Sequence, residues 1–382
     1  MRRSVHASTL DARARRSLFL ARGTGILAAT SVLAALAGVA TTAFHAGAKI
    51  PAPIAVAADS GPSRPALPPV AEPLPSLPAA VTPKAVWLVE QGPAYEQYSN
   101  GLRIDTRFTT VDSPKRHYRT FLKDGGMEAE PRDKPAGIMF HTTESDIWPL
   151  EASFNEKLRD GSERLLRYLR REHVYHYLID RFGRAYRVVA EDAKANHAGI
   201  GAWNDGDRFY MSLNNAFLGV SFETRWEGGR ALPITEAQLV SGRGLTDYLR
   251  RRYEIPAEMC VAHGLTSLNW QKHVIGHHLD WARGFPFAAF GLPDQYRRPP
   301  TNVVFFGFGY DESLTERMGE PWPGVPAGTE AFEAEAKNAG ISPEALRKQR
   351  EDLYDKWQSE QIRDEEAARA GRSGSKARAS GG

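Results

Sequence analysis

The sequence predicts an α/β fold, a β-sheet with helices packed on it, and three observations lead there. Short apolar runs with strand character alternate with amphipathic helical segments between residues 85 and 310. Hydrophobic residues at 42% and charged residues at 25% are ordinary for a soluble globular body. The chain has one cysteine, Cys260, so neither an internal disulfide nor a Cys-rich zinc knuckle can hold it together, and the fold must rest on its core. Cys260 sits in an apolar run between Met259 and Val261 and reads as a buried structural thiol.

The elements follow in order. Val86 to Val89 reads as a short strand, and Tyr98 to Gly101 as a hairpin turn between alternating segments. Gly137 to His141 is a buried strand that ends in a histidine. Residues 150–172 carry Leu165, Leu166 and Leu169 among many charges, the pattern of an amphipathic helix. Tyr175–Asp180 and Arg184–Ala190 flank Phe182-Gly183 as a hairpin, and Ala216 to Glu223 is a further apolar strand. Thr235 can cap a helix running through Arg252 with Leu245, Tyr248 and Leu249 on one face. Met259 to Ala262 closes the series as a strand.

The ends have a different character. Six arginines precede Gly25–Phe44, which carries no charge, and Ala46-Gly47-Ala48 offers a small-residue cleavage site. Residues 1–50 are therefore expected to be an export signal or, since a span takes about 20 residues, an uncleaved membrane anchor through 25–44. Arg15-Arg16 loosely resembles a twin-arginine signal. Export predicts a periplasmic or extracellular location. Residues 51–84 hold ten prolines and read as an extended spacer. Beyond residue 310 the chain turns highly charged: Ser342-Pro343 starts a helix whose apolar positions Leu346, Leu353 and Trp357 are too sparse to build a core alone. Residues 311–382 are thus expected to be a charged, partly helical or disordered tail that docks weakly or engages a protein partner, with a disordered end from Gly371.

Charge excludes one class of function. The net charge is +3, but residues 1–50 carry seven Lys/Arg against one Asp, so the remainder is slightly acidic. A nucleic-acid binder would need a concentrated basic face.

Six of the eleven histidines lie at the ends of, or between, the predicted strands: His141, His176, His197, His263, His277 and His278. A buried strand has no need of histidine, because an apolar residue packs at lower desolvation cost. Several together in an α/β body point to a metal site, since imidazole is the commonest zinc ligand. Catalytic zinc takes three protein ligands and leaves one position for water. Asp280 and Glu223 are the nearby carboxylates. His176 reads as structural, and His277 is left between a structural and a ligand role.

Five segments in order resemble the type 2 N-acetylmuramoyl-L-alanine amidase and peptidoglycan recognition protein superfamily. They are Gly137-Ile-Met-Phe-His-Thr-Thr-Glu144, Tyr175-His-Tyr-Leu-Ile-Asp-Arg-Phe-Gly183, Asn196-His-Ala-Gly199, Phe217-Leu-Gly-Val-Ser-Phe-Glu223, and Tyr253-Glu-Ile-Pro256 leading to Cys260-Val-Ala-His263. Together they span about 135–295. The resemblance implies a central mixed sheet flanked by helices, making 85–310 an amidase-like catalytic domain. It implies zinc held by His141, His263 and, in the frame His278-Leu-Asp280-Trp-Ala-Arg-Gly-Phe285-Pro286, Asp280. It further implies that Tyr175 and His278 assist catalysis, that His197 lines the substrate groove, and that the substrate is peptidoglycan, cut between N-acetylmuramic acid and L-Ala.

Three departures from the family pattern matter. The interval from His263 to Asp280 is long, so residues around Asn269–Lys272 must loop out. A competing register takes Ile275-Gly276-His277 as the second-histidine motif and puts Phe285 at the third-ligand position. Finally, Ser221 stands where the family carries its catalytic glutamate. Glu223 lies on the same strand face by the period of two and is the expected substitute base. The rival functions are a non-catalytic peptidoglycan-binding module and a zinc hydrolase of another amide or peptide.

Overall fold

The computed structural model describes residues 85–379 apart from 123–125, 277 and 311. The expected export segment and proline-rich spacer, and His277, lie outside the described residues. Among the described residues no helix is long and apolar enough to cross a membrane.

Eight strands form the main sheet: β1 (Leu88–Gly92), β2 (Tyr95–Tyr98), β3 (Arg103–Asp105), β4 (Gly137–Thr142), β5 (Tyr177–Ile179), β6 (Ala185–Arg187), β7 (Phe217–Phe222) and β8 (Cys260–Ala262). Their spatial order is β1-β2-β3-β6-β5-β7-β4-β8. Hairpins make β1/β2, β2/β3 and β5/β6 antiparallel, whereas β7 runs parallel to β4 and β5, and β8 parallel to β4. The sheet is therefore mixed, as expected. Every residue of β4 and β7 is buried. A strand covered on both faces reads as a near-continuous apolar run, which is why GIMFHT and FLGVSF do so.

Helix α1 (Asn155–Glu172) lays Leu158, Leu166 and Leu169 on one face and packs the last two against Leu178, Tyr186 and Val188. Truncating such a leucine to alanine costs about 2–5 kcal/mol. Helix α2 (Glu236–Tyr253) begins at a capping box, in which the Thr235 hydroxyl accepts from Gln238 N and the Gln238 side chain accepts from Thr235 N. It covers the opposite face. A Cβ on Gly242 would lie 2.9 Å from the Phe222 and Phe290 rings, so only glycine lets the helix approach this closely. Because side chains alternate, Phe140 and Phe222 share one face while His141 and its register partner Ser221 share the other with Leu178, on the side of α1.

The residues around Asn269–Lys272 do loop out, as a hairpin: Leu268–Asn269 pairs antiparallel with Val274–Ile275, which pairs parallel with Gly309–Tyr310. At its tip Trp270 packs on Phe306, Phe308 and Tyr354. The chain then forms α3 (Thr301–Phe306), α4 (Gly324–Asn338) and α5 (Pro343–Ala379). The tail therefore does not dock weakly. In α5, Tyr354 and Trp357 join the main core, Trp357 Nε1 donates to Arg119 O at 3.1 Å, and Gln361 Nε2 donates to His117 O at 2.8 Å. The end expected to be disordered from Gly371 continues as helical backbone to Ala379. Sparse apolar positions suffice because the surface they meet supplies the aromatics, Phe121 and Phe306 among them.

Candidate metal centre

His141 lies near the end of β4, and His263 follows β8 directly. The two strands are neighbours, with Ala262 in register with Phe140, so the histidines emerge side by side. Asp280 arrives from the segment after the inserted hairpin. Gly264 N donates to Asp280 O at 3.0 Å, and a Cβ on Gly264 would sit 2.5 Å from Ala282 Cα. This contact pins the loop, and it favours the register that uses His263.

The three inward atoms converge. His141 Nδ1 and His263 Nδ1 lie 2.9 and 2.8 Å from Asp280 Oδ2, and the ligand atoms of all three residues fall within 4.8 Å of one another. The outer nitrogens determine the tautomers. His263 Nε2 faces Ala198 O at 3.2 Å, and His197 Nε2 faces Phe217 O at 3.3 Å; a carbonyl only accepts, so both nitrogens carry protons. His197 Nδ1 must then accept from His141 Nε2 at 3.1 Å. Both candidate ligands thus turn an Nδ1 lone pair toward a carboxylate oxygen. Burial pushes His141 down to about 4, with Asp280 pulling the other way. Three acceptors facing one another with no donor between them are costly unless a cation lies among them. Two imidazoles and a carboxylate are a donor set suited to zinc.

Other predicted residues surround this group. The Tyr175 ring packs 4.8 Å from that of His141, tilted by 42°, and its hydroxyl donates to Thr142 O at 3.4 Å. His278 stacks on His263 at 4.5 Å, its backbone N held by Ser267 Oγ. Ser221 is fully buried in register with His141, with Tyr175 beside it. Three residues around the group adopt left-handed backbone, Glu144 (φ 52°), Tyr175 (58°) and Trp281 (52°), and such strain gathers at functional sites.

Two expectations meet a different placement. His197 does not line an open groove: it is buried behind His141 and positions that ring. Glu223 sits on the face foreseen, but its carboxylate accepts from Ser162 Oγ on α1 at 2.7 Å and from Arg181 N at 3.2 Å. Burial raises its pKa, and the charges it feels are Asp180 and Arg181, none of the metal group. His176 is structural, as foreseen: its Nδ1 accepts from Gly219 N, and its Nε2 lies 3.0 Å from Ala193 O. Cys260 is buried and free, its thiol pushed up to about 12 by burial.

One residue escaped the sequence reading. Glu144, solvent-accessible and three residues beyond His141, accepts from Trp226 N at 3.0 and 3.1 Å and from the Thr142 hydroxyl. Its pKa is raised, first by partial desolvation of the carboxylate and also by Asp280. The only signal was its place at the end of the Thr-Thr-Glu run after His141.

A family model described as N-acetylmuramoyl-L-alanine amidase matches residues 131–284, a span that holds all three candidate ligands. No curated protein matches the chain. Among solved structures, it is similar to the N-acetylmuramoyl-L-alanine amidase LysC from Clostridium intestinale URNW (21% identity over 41% of this chain and 83% of that one, TM-score 0.27). It is also similar to AmiD from E. coli, solved with anhydro-N-acetylmuramic acid-L-Ala-D-gamma-Glu-L-Lys (23%, 49% and 72%, TM-score 0.30). A third is AmpDh3 from Pseudomonas aeruginosa, in complex with anhydromuramic pentapeptide (20%, 49% and 69%, TM-score 0.28). The match to the N-acetylmuramoyl-L-alanine amidase family is thus confined to residues 131–284, with His141 near the start of that span and His263 and Asp280 near its end.

Proposed function

We propose that this protein is an exported, zinc-dependent hydrolase that cuts the amide between N-acetylmuramic acid and the L-Ala of peptidoglycan stems. The observation that carries the reading is the convergence of His141 Nδ1, His263 Nδ1 and the Asp280 carboxylate, with both outer imidazole nitrogens already engaged. These three residues would hold the ion. Zinc in such a site polarises an amide carbonyl and lowers the pKa of water to about 7. The chain's own residues do the rest. His197 and the Ala198 carbonyl keep the ligand rings in one tautomer. Tyr175 and His278, each packed against a ligand ring, stand where they can steady charge developing on the amide oxygen. The family match supports peptidoglycan as substrate. The charge-free run Gly25–Phe44 after its arginines supports export to the periplasm or beyond, with or without a retained anchor.

A second reading, a module that binds peptidoglycan without cutting it, draws on Ser221 at the family's glutamate position. One experiment separates them. Purified protein is assayed for metal and then incubated with peptidoglycan, and the products are identified by mass spectrometry. One zinc per chain with release of intact stems beginning at L-Ala is expected. A zinc-loaded protein that leaves muropeptides whole would sink the amidase reading, and retention of peptidoglycan without stoichiometric zinc would favour the binding module.

A further inference from the structure

We propose that Glu144, not Glu223, is the carboxylate that takes and returns the proton in this hydrolysis, an inference that rests on the amidase reading. Hydrolysis adds one water across the amide. Its oxygen forms the new C–O bond, one proton must leave that oxygen, and one must reach the departing nitrogen as the C–N bond breaks. A carboxylate serving both needs must be reachable by water and substrate, stand beside the ligand group, and have an oxygen that is not sealed into the core.

Glu223 fails on each count. It is 4% exposed, its carboxylate is held by Ser162 and Arg181, and no residue of the metal group is among its electrostatic partners. Glu144 meets them. The left-handed turn at its own backbone, pinned where Glu144 N donates to Thr224 O at 3.2 Å, sends the chain back from the end of β4. Trp226 N and the Thr142 hydroxyl orient the carboxylate, and it remains accessible. It shares its electrostatic surroundings with Asp280, and Tyr175 feels both. Arg225 is the cation facing it. Ser221, fully buried and in register with His141, is the second observation. A serine hydroxyl there cannot carry the proton as a carboxylate can, so the strand position beside the ligands supplies no base of its own.

The test compares Glu144→Gln and Glu223→Gln in the zinc-loaded full chain. Three quantities are read: zinc content, muropeptide affinity by calorimetry, and kcat for stem release. Glu144→Gln is expected to keep one zinc and bind muropeptide within a few fold of wild type while kcat falls by about 10²–10⁴-fold. Glu223→Gln is expected to lower the melting temperature and to keep kcat within about tenfold. Formate should partly restore Glu144→Ala and leave Glu223→Ala unchanged. Wild-type kcat in Glu144→Gln overturns the proposal, and so does loss of zinc in that variant, which would make the residue a support of the site. A wild type that holds zinc and cuts nothing overturns the amidase reading and this inference with it.

Discussion

Asp280 and Glu128 are two largely buried carboxylates whose surroundings differ in what they supply. Glu128 accepts from Arg132 at 2.7 Å through two nitrogens, from Arg208 at 3.0 Å and from the Thr120 hydroxyl at 2.6 Å. Its partners are permanent cations and a donor, so the cluster is complete as it stands and ties the 120–132 segment to the strand edge at Arg208. Asp280 has two imidazole nitrogens whose protons are committed elsewhere. The first arrangement is satisfied by the chain alone; the second needs a cation from outside. That difference separates a carboxylate kept for stability from one kept for function, and substitutions should divide along it.

The largest effect is expected at Asp280. Asp280→Asn should abolish stoichiometric zinc and lower stem release by about 10³-fold or more, because the carboxylate is the one anionic member of the donor set. Its metal-free melting temperature should change little, since the substitution relieves a convergence of acceptors. A large loss of metal-free stability, read by calorimetry in chelator, would place Asp280 with Glu128 and break the contrast. His197→Ala comes next. Its imidazole only orients His141, and removal of such a supporting partner lowers metal affinity by about 10–100-fold. Competition with a zinc chelator measures it, and wild-type affinity would show that the His141 tautomer is fixed without His197.

How far this site was legible in the sequence follows from the same contrast. His141 and His263 could be read because they end apolar runs that sit adjacent in the sheet, and strand periodicity survives translation from sequence to space. Asp280 could be read only through the Phe285-Pro286 frame that follows it, since nothing local marks its convergence with β4 and β8. Periodicity put Glu223 on the right face but could not show that Ser162, from a helix some sixty residues earlier, engages its carboxylate. Glu144 was hidden by a left-handed residue just past the strand, where a period of two no longer applies. The tail was undervalued for a related reason: helical patterning counts the apolar groups a helix brings, not those it meets. Trp270 and Phe306 receive Tyr354 from elements read separately.

The smallest effect, and the one with a defined pH signature, is expected at Glu128. Its hydrogen bonds from Arg132, against the cost of burial, hold the carboxyl down to about 2 from an ordinary 4.5. A group whose native pKa is depressed adds stability that is fully present above the unfolded value and drains away as pH falls through the native one. Glu128→Gln should therefore cost about 1–2 kcal/mol in urea unfolding at neutral pH, between the values for exposed and buried pairs, because its arginines are partly solvated. The gap between wild type and variant should narrow from about pH 4.5 downward and close toward pH 2. A gap that stays constant across that window would mean that Glu128 acts through packing and not through its charge. The charge of Glu128 would then matter no more to the fold than that of Asp280 does in the metal-free protein.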